Sequence, residues 1–419
     1  MNDAVLSLVI LVIVVVLMFF KNVPMTTVAL AGAIACCIFG LYDFSEIFSD
    51  LGSSTVVLMF GLSIIGAAMF YSGLASAIAN FILKFTGETE RGVIAGIMVV
   101  SLVLSAFSSN TAVVLMMIPM VKALSEKMNL SLRRTMYPLG VGAALGGACT
   151  LVGTTSNVSG NTVLEDAGLT TMNFWTLACV GIPVAIVGLI YMLTLGMKTL
   201  PKAQGYDGEP MTSQEQQAIK GNKRTMIVTA VITATAFVSM MISSSLLFAA
   251  SLIGAVLLIL TGCISEKAAF KSIDWSVILL IVSFSVISTS ISDSGGGELI
   301  ADGFVNVVGA DAKPILVCAA LFLLTALFTS FMSNIVSVMM MGPIAIYIAQ
   351  GLAVDPTAMV MVVIIAANAC YATPLGSPYF TMLMTPGKYK FLDYVRMGLP
   401  LVLINFIIAI LIIPRVWAF

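Results

Sequence analysis

The stretch Ser108-Ser109-Asn110-Thr111 is a polar tetrad inside a predominantly apolar run from Val93 to Val121. A second copy, Ser333-Asn334, follows 224 positions later. About 16 apolar-biased residues flank each copy on either side, fewer than the roughly 20 that a spanning helix needs. Both segments are therefore predicted to be re-entrant hairpins whose polar tips meet near the middle of a membrane. Non-helical backbone at that depth persists only when buried in protein or lining a wet cavity, so the tips are the candidate site.

Composition places the whole chain in a membrane. Of the 419 residues, 60% are hydrophobic and 9% are charged, and the mean hydropathy is +1.10. Soluble proteins carry about 25% charged residues, so we predict an all-α polytopic membrane protein, most simply of the cell (inner) membrane. The seven cysteines form no CxxC pair and histidine is absent, which argues against a metal or disulfide framework. We expect no cofactor and no nucleic-acid partner.

Hydropathy predicts ten full spans and two hairpins. The hairpins occupy roughly 92–126 and 313–350. The full spans lie near 4–20, 24–41, 53–72, 134–168, 173–197, 224–243, 246–264, 272–290, 354–386 and 391–414. Two of these, 134–168 and 354–386, are longer than one crossing requires and contain Gly and Pro, so we interpret each as a broken helix.

The distribution of basic residues supports this layout. With the N-terminus outside, 17 of the 19 Lys and Arg residues fall on the cytoplasmic side, among them Lys21 and Lys220. Only Lys313 and Arg415 fall outside. This asymmetry is what the positive-inside rule requires, and it predicts that both termini are extracytoplasmic.

The chain divides into two similar halves, 1–200 and 224–419, joined by a polar cytoplasmic linker at 201–223. The matching motifs are Ser109-Asn110 with Ser333-Asn334, Thr150-Leu151-Val152-Gly153 with Thr373-Pro374-Leu375-Gly376, and Gly181-Ile182-Pro183 with Gly398-Leu399-Pro400. Each half has five full spans and one hairpin. An odd number of crossings turns the second half upside down, which gives an inverted repeat, an arrangement common in secondary transporters.

Acidic side chains are not placed deep in any predicted span. The nearest ones lie at predicted helix starts or in the loop before the second hairpin: Asp274, Asp393, Asp293, Glu298 and Asp302. Proton-coupled carriers need a titrating group in the pathway. A sodium ion needs only hydroxyl, amide and carbonyl oxygens, which the tips and broken helices supply.

The tips also suit an anion. Helices that begin at Asn110 and Asn334 would present unpaired N–H groups and a positive dipole end, so a carboxylate or sulfate could bind without Arg or Lys. The hydroxyls of Ser109, Thr111 and Ser333 add further donors.

At this point the sequence resembles the divalent anion/sodium symporter family of the ion-transporter superfamily. The resemblance rests on the Ser-Asn tips, on Gly146–Thr154, and above all on Ala372–Pro378 followed by Pro386–Tyr394. It implies a homodimer in which a transport domain of hairpins and broken helices moves against a scaffold. It also implies a cargo of sodium with a di- or tricarboxylate, or sulfate.

The resemblance assigns site residues by motif. The first sodium site would use Ser105, Ser109, Asn110 and the backbone at Gly153. The second would use Thr329, Asn334 and the backbone at Met332 and Ala372. Substrate would meet Ser109, Asn110, Thr111, Ser333, Asn334, Thr373 and Pro374.

This chain departs from the family at three places. Ile335 stands where the family has Thr, the first broken helix lacks paired prolines, and Tyr379-Phe380 stands where Pro and Asn are usual. These departures leave open an anion that is smaller or more apolar than succinate.

The favoured function is sodium-coupled symport of a small anion by an elevator mechanism. A sodium-independent anion exchanger and a sulfate- or arsenite-type carrier, or a sodium/proton carrier of the same superfamily, remain alternatives. A channel would show a continuous polar stripe along its pore. An enzyme would need a nucleophile–base pair, paired carboxylates or metal ligands, and the sequence offers none of these in its spans.

Overall fold

The structure is a computed structural model that describes residues 2–18, 23–84, 89–203, 205–208, 222–242, 246–308 and 313–417. Within these ranges the secondary structure is helical throughout, without strands. The predicted linker lies largely outside them (204 and 209–221), as do Lys21 and Lys220.

The helices follow the order of the predicted spans. Those of the first half are α1 (Asp3–Met18), α2 (Met25–Ile38), α3 (Ser54–Tyr71), α4 (Leu74–Leu83), α5 (Glu90–Ser105), α6 (Asn110–Lys127), α7 (Leu132–Gly147), α8 (Thr155–Asp166) and α9 (Ala178–Tyr191). Those of the second half are α10 (Lys223–Ile242), α11 (Leu246–Leu260), α12 (Glu266–Ser272), α13 (Trp275–Asp293), α14 (Gly296–Val308), α15 (Pro314–Thr329), α16 (Asn334–Gly351), α17 (Pro356–Asn368), α18 (Pro378–Met384) and α19 (Phe391–Val416).

Side-chain caps set the helix boundaries around the hairpins. α5 begins where Thr89 Oγ1 accepts from Gly92 N–H at 3.1 Å, and α7 begins where Ser131 Oγ accepts from Arg133 N–H at 3.2 Å. These residues satisfy amide groups that the first turn leaves without a helical partner. Short polar residues between apolar runs thus decide where each helix starts.

Three helices were not among the predicted spans: α4, α12 and α14. The expectation of a loop carrying Asp293, Glu298 and Asp302 is wrong, because Asp293 ends α13 and the other two lie on α14. Gly295 adopts φ +78° between the two helices and lets the chain turn there. Short amphipathic helices such as α14 escape a hydropathy average because their polar and apolar faces cancel.

Hairpin helices and broken helices pack together in the centre of the molecule. α5 packs against α7 in the first half, and α15 packs against α17 in the second. α8 contacts both α16 and α17, so the two halves interlock. We call α5–α9 and α15–α19 the central body. α3 and α13 pack against it, α1 and α2 pack against α13, and α10 and α11 pack against α3. These six helices are called the frame.

Equivalent contacts recur in the two halves. Thr150 Oγ1 donates to the carbonyl of Ala106 at 2.5 Å, and Thr373 Oγ1 donates to the carbonyl of Ser330 at 2.5 Å. Each bond ties the break of a broken helix to the end of the preceding hairpin helix. The motif that predicted a repeat therefore makes the same contact twice, while the inverted orientation in a membrane stays a prediction.

Glycine is required where α9 and α19 cross the breaks. A Cβ on Gly181 would lie 2.1 Å from the carbonyl oxygen of Ala148, and a Cβ on Gly398 would lie 2.1 Å from that of Tyr371. Neither backbone could approach so closely with a side chain in place. These two glycines explain the third pair of matching motifs.

A buried tyrosine cluster joins the halves on one side of the central body. Tyr137 Oη donates to the carbonyl of Tyr371 at 3.0 Å. Tyr389 Oη donates to the carbonyl of Arg133 at 2.8 Å and accepts from Tyr137 N–H at 2.9 Å. Each hydroxyl meets a backbone group, as a buried tyrosine requires.

The outer faces of the helices are apolar. Within the described residues six helices are long and apolar enough to cross a membrane: Ser54–Tyr71, Ala178–Thr199, Lys223–Ile242, Trp275–Asp293, Asn334–Gly351 and Phe391–Val416. Ile186, Val231 and Ile407 are each more than half exposed on three of them. So much apolar surface faces outward only when lipid is the solvent.

Candidate functional site

Two helix N-termini meet at the centre of the molecule. Ser109 Oγ accepts from Ala112 N–H at 3.3 Å at the start of α6, and Ser333 Oγ accepts from Val336 N–H at 3.3 Å at the start of α16. The polar tips are therefore helix caps, and they leave the first amides of each helix free for a ligand.

A cavity of about 250 Å³ lies between the two tips. Its tip residues are Ser109, Asn110, Thr111, Ser333, Asn334 and Ile335. Because the N-terminal ends of α6 and α16 line one cavity, both helices begin inside the molecule. The volume suits a small organic anion rather than a large ligand.

A larger cavity of about 740 Å³ continues from the first tip toward α3. The two cavities share Ser109, Thr111, Thr154, Thr155, Asp274 and Pro378. Among the described residues, Asp274 is the one charged side chain that lines either cavity. It caps α13 by accepting from Val277 N–H at 3.3 Å, and it is exposed to the cavity.

The first tip gathers oxygen atoms around the carboxamide of Asn110. One atom of this group lies 2.5 Å from Ser105 Oγ, 3.2 Å from the carbonyl oxygen of Ala143 and 3.3 Å from that of Gly153. With nitrogen on this side, the two amide hydrogens are shared among these three oxygen atoms and the group is satisfied. With oxygen on this side, it accepts from Ser105 Oγ and faces the two carbonyl oxygens, a set of oxygen atoms that could coordinate a cation. Hydroxyl, amide and carbonyl oxygens at a helix break are the ligands that sodium takes in transporters.

The second tip is arranged differently. The carboxamide oxygen of Asn334 lies 2.9 Å from Thr329 Oγ1 and 3.3 Å from Ser377 Oγ. Its nitrogen donates to Cys370 Sγ at 3.5 Å. Both ends of this buried amide therefore have protein partners.

The two broken helices are bridged at their breaks. Asn368 Nδ2 donates to Asn157 Oδ1 at 2.6 Å, and Ser156 Oγ donates to Asn368 Oδ1 at 2.9 Å. Asn157 Nδ2 in turn donates to the carbonyls of Gly147 and Thr150, each at 2.8 Å. Carbonyls that the break leaves without helical partners are satisfied in this way. Sequence reasoning missed this bridge, although buried asparagines inside two apolar runs were a visible signal.

Most of the predicted site residues meet at the tips. Ser105, Asn110 and Gly153 come together at the first, and Thr329 and Asn334 meet at the second.

Met332 and Ala372 are buried, at 0% and 9% exposure. Thr373 donates its hydroxyl hydrogen to the carbonyl of Ser330. Neither Thr373 nor Pro374 lines the described cavities. The wall at this place is formed by Gly376, Ser377, Pro378 and Tyr379, which the sequence assignment did not include. The sequence assignment also did not include Ala143, whose carbonyl reaches Asn110, because this position lies outside the motifs that assigned the other backbone groups.

A polytopic helical fold with two capped helix N-termini around a central cavity defines a membrane transporter. The chain belongs to the citrate transporter family (CitMHS), whose model matches residues 13–283 and 246–419. The predicted resemblance to the divalent anion/sodium symporters is confirmed at this level, and so is the all-helical transporter fold.

Two distant relatives align with nearly the whole chain. It is 22% identical to the uncharacterized transporter YfbS of Escherichia coli (strain K12), with 98% of each protein aligned. It is also 22% identical to the sodium-dependent dicarboxylate transporter SdcS of Staphylococcus saprophyticus, over 94% of this chain and 82% of that protein. The crystal structure of the Alcanivorax borkumensis YdaH transporter matches at a TM-score of 0.68 and 14% identity, over 99% of this chain and 98% of that one, which shows a shared fold.

Proposed function

We propose that this protein is a sodium-coupled symporter of a small organic anion in the cell membrane, with di- and tricarboxylates as the first substrates to test. The observation that carries the proposal is the oxygen cluster of Ser105, Asn110, Ala143 and Gly153 beside the cavity between the tips. A relative named as a sodium-dependent dicarboxylate transporter supports it.

Cation and anion would bind next to each other. A sodium ion among these oxygens places positive charge behind the start of α6, whose free amides and dipole already favour an anion. Each ligand then raises the affinity for the other, and such mutual stabilisation is the thermodynamic basis of symport. No Arg or Lys lines the described cavities, so the ion supplies the charge that a side chain would otherwise provide.

An elevator movement fits the packing. The Asn157–Asn368 bridge and the tyrosine cluster hold the central body together, while Asp274 and Thr26 reach the cavity from the frame. Movement of the body against the frame would carry the site from one side of the membrane to the other. The homodimer implied by the family resemblance stays a prediction.

The deciding experiment is uptake of labelled succinate, malate, citrate, sulfate and lactate into proteoliposomes, with and without an inward sodium gradient. We expect uptake of one or more of these anions that depends on external sodium and is lost when potassium replaces it. Uptake that ignores sodium but requires anion inside the vesicle would make the protein an exchanger and refute sodium coupling.

A further inference from the structure

The two tips differ at one repeat-related position. Gly147 of the first broken helix corresponds to Cys370 of the second, with the same offset of 223 that relates Thr150 to Thr373. A Cβ on Gly147 would lie 2.3 Å from Asn110 Oδ1. The absence of a side chain here is what leaves room for the carboxamide of Asn110 to turn toward the carbonyl oxygens.

In the second half that space holds a thiol. Cys370 Sγ accepts from Asn334 Nδ2 at 3.5 Å and from Ser377 Oγ at 2.8 Å, and it lies 3.1 Å from Tyr379 Oη. The cysteine is 1% exposed and the tyrosine 4% exposed. A thiol is a poor ligand for sodium, which prefers hard oxygen atoms.

The polar atoms show the same contrast. At the first tip, one end of the Asn110 carboxamide is surrounded by the oxygen atoms of Ser105, Ala143 and Gly153 alone, so turning the amide exchanges a nitrogen donor for an oxygen ligand of a cation. At the second tip, the Asn334 oxygen lies 2.9 Å from Thr329 Oγ1, and its nitrogen donates to the thiol, which also accepts from Ser377 Oγ. A sodium ion could bind here only by breaking these hydrogen bonds, and each buried polar group would then lose its partner.

We infer that this transporter binds one sodium ion per protomer, at the first tip, and that Cys370 with its partners Ser377 and Tyr379 closes the second tip to sodium. The inference rests on the proposed sodium coupling and fixes its stoichiometry. It departs from the two sodium sites that the family resemblance implied, because Asn334 then contacts the substrate and no sodium ion.

The test is equilibrium binding of radioactive sodium to the purified protein in nanodiscs, without substrate. We expect about one ion per protomer and a Hill coefficient near one for the sodium dependence of uptake. Two ions per protomer would overturn the inference and leave sodium coupling intact. No bound sodium would instead refute the coupling itself, so the two failures are distinguishable.

Variants locate the ion. Ser105→Ala should lower binding from one ion to none, since it removes a hydroxyl from the first tip. Cys370→Gly copies the first tip into the second and should raise binding to two ions, with a Hill coefficient approaching two. A Cys370→Gly protein that still binds one ion would contradict the role given to the thiol.

The matched control is Cys318→Ala. Cys318 is a buried cysteine of α15 that contacts Met359 Sδ at 3.6 Å and lines neither cavity. It should keep one ion per protomer. If Cys370→Gly does not yield folded protein by gel filtration, the wild-type count and the Ser105→Ala count still decide the inference.

Discussion

Asn110 and Asn334 occupy equivalent positions in the two halves, but their substitution by alanine should impair uptake for different reasons. Asn110→Ala removes a ligand of the proposed ion, so uptake should lose its sodium dependence and fall by roughly 10- to 100-fold, as expected for a hydrogen-bonding partner of a charged group. Asn334→Ala should also abolish most uptake, but through substrate. Uptake kinetics and equilibrium sodium binding, measured on both variants, separate loss of the ion from loss of substrate binding. The Asn334→Ala protein should still bind sodium. Normal uptake by either variant at intact expression would remove the role of that amide.

Asp274 places a negative charge on the wall of a cavity that is proposed to hold an anion. Asp274→Asn should increase the apparent affinity for a dianion by about 2- to 5-fold, the effect of removing a like charge across a solvated cavity. Asparagine keeps the cap of α13, so the helix start is preserved. Asp293→Asn, at the other end of the same helix and outside both cavities, is the control. An unchanged KM for succinate in the Asp274 variant would show that the carboxylate does not face the bound substrate.

Ile335 contributes an apolar surface where the family resemblance led us to expect a threonine hydroxyl. Ile335→Thr should shift the substrate range toward dicarboxylates and lower the KM for succinate by about 2- to 10-fold, the worth of one added hydrogen bond. Ile335→Val keeps the branched shape without the hydroxyl and should behave as the wild type. Identical uptake profiles for the threonine and valine variants would mean that this side chain does not select the substrate.

At the scale of elements, the Asn157–Asn368 bridge should hold the two broken helices in one rigid body. Asn368→Leu removes the partner of Asn157 Oδ1 and of Ser156 Oγ, at a cost of about 1–3 kcal/mol for each group. We expect a lower melting temperature in detergent and slower uptake. The double variant Asn157→Leu/Asn368→Leu should lose less than the sum of the single variants, because both remove one interaction. Strictly additive losses would show that the two side chains are not coupled.

The breaks between helices could be predicted because polar residues interrupt otherwise apolar runs there. The segments 92–126 and 313–350 overlap the helix pairs Glu90–Ser105 with Asn110–Lys127 and Pro314–Thr329 with Asn334–Gly351, while their re-entrant course in a membrane stays a prediction. Short amphipathic helices such as α14 could not be found from hydropathy alone.

The chemistry of the second tip was harder to foresee. Cys370 lies in an apolar run, where a cysteine is ordinarily a small packing residue. Its role becomes visible only in the structure, where the thiol of Cys370 occupies the space that its repeat partner Gly147 leaves empty in the first half. Local sequence identifies polar residues at a break but does not show which of their bonds are already made.

At the scale of the whole molecule, residues that line the small cavity lie toward the face that is predicted to be cytoplasmic. Thr26, Asp274 and Ser276 line the small cavity, and each lies near the start of a helix that the charge distribution places at the cytoplasmic face. On the predicted opposite face, Thr55 Oγ1 of the frame donates to Glu165 Oε2 of the central body at 3.2 Å. The predicted topology would place the cavities toward the cytoplasm, and the proposed movement of the central body against the frame would have to break this contact.

A single sodium ion also determines how the membrane potential acts on transport. One sodium with a monoanion is neutral, whereas one sodium with a dianion carries one net negative charge into the cell. An inside-negative potential of 100 mV opposes that charge by about 2.3 kcal/mol, or roughly 50-fold in accumulation. In proteoliposomes with a potassium diffusion potential set by valinomycin, we expect the accumulation of a monoanion to be unchanged and that of a dianion to fall. Accumulation of the dianion that instead rises with the inside-negative potential would require three or more sodium ions per cycle, and no change would require two. The direction of this response therefore reports the number of ions independently of any binding measurement.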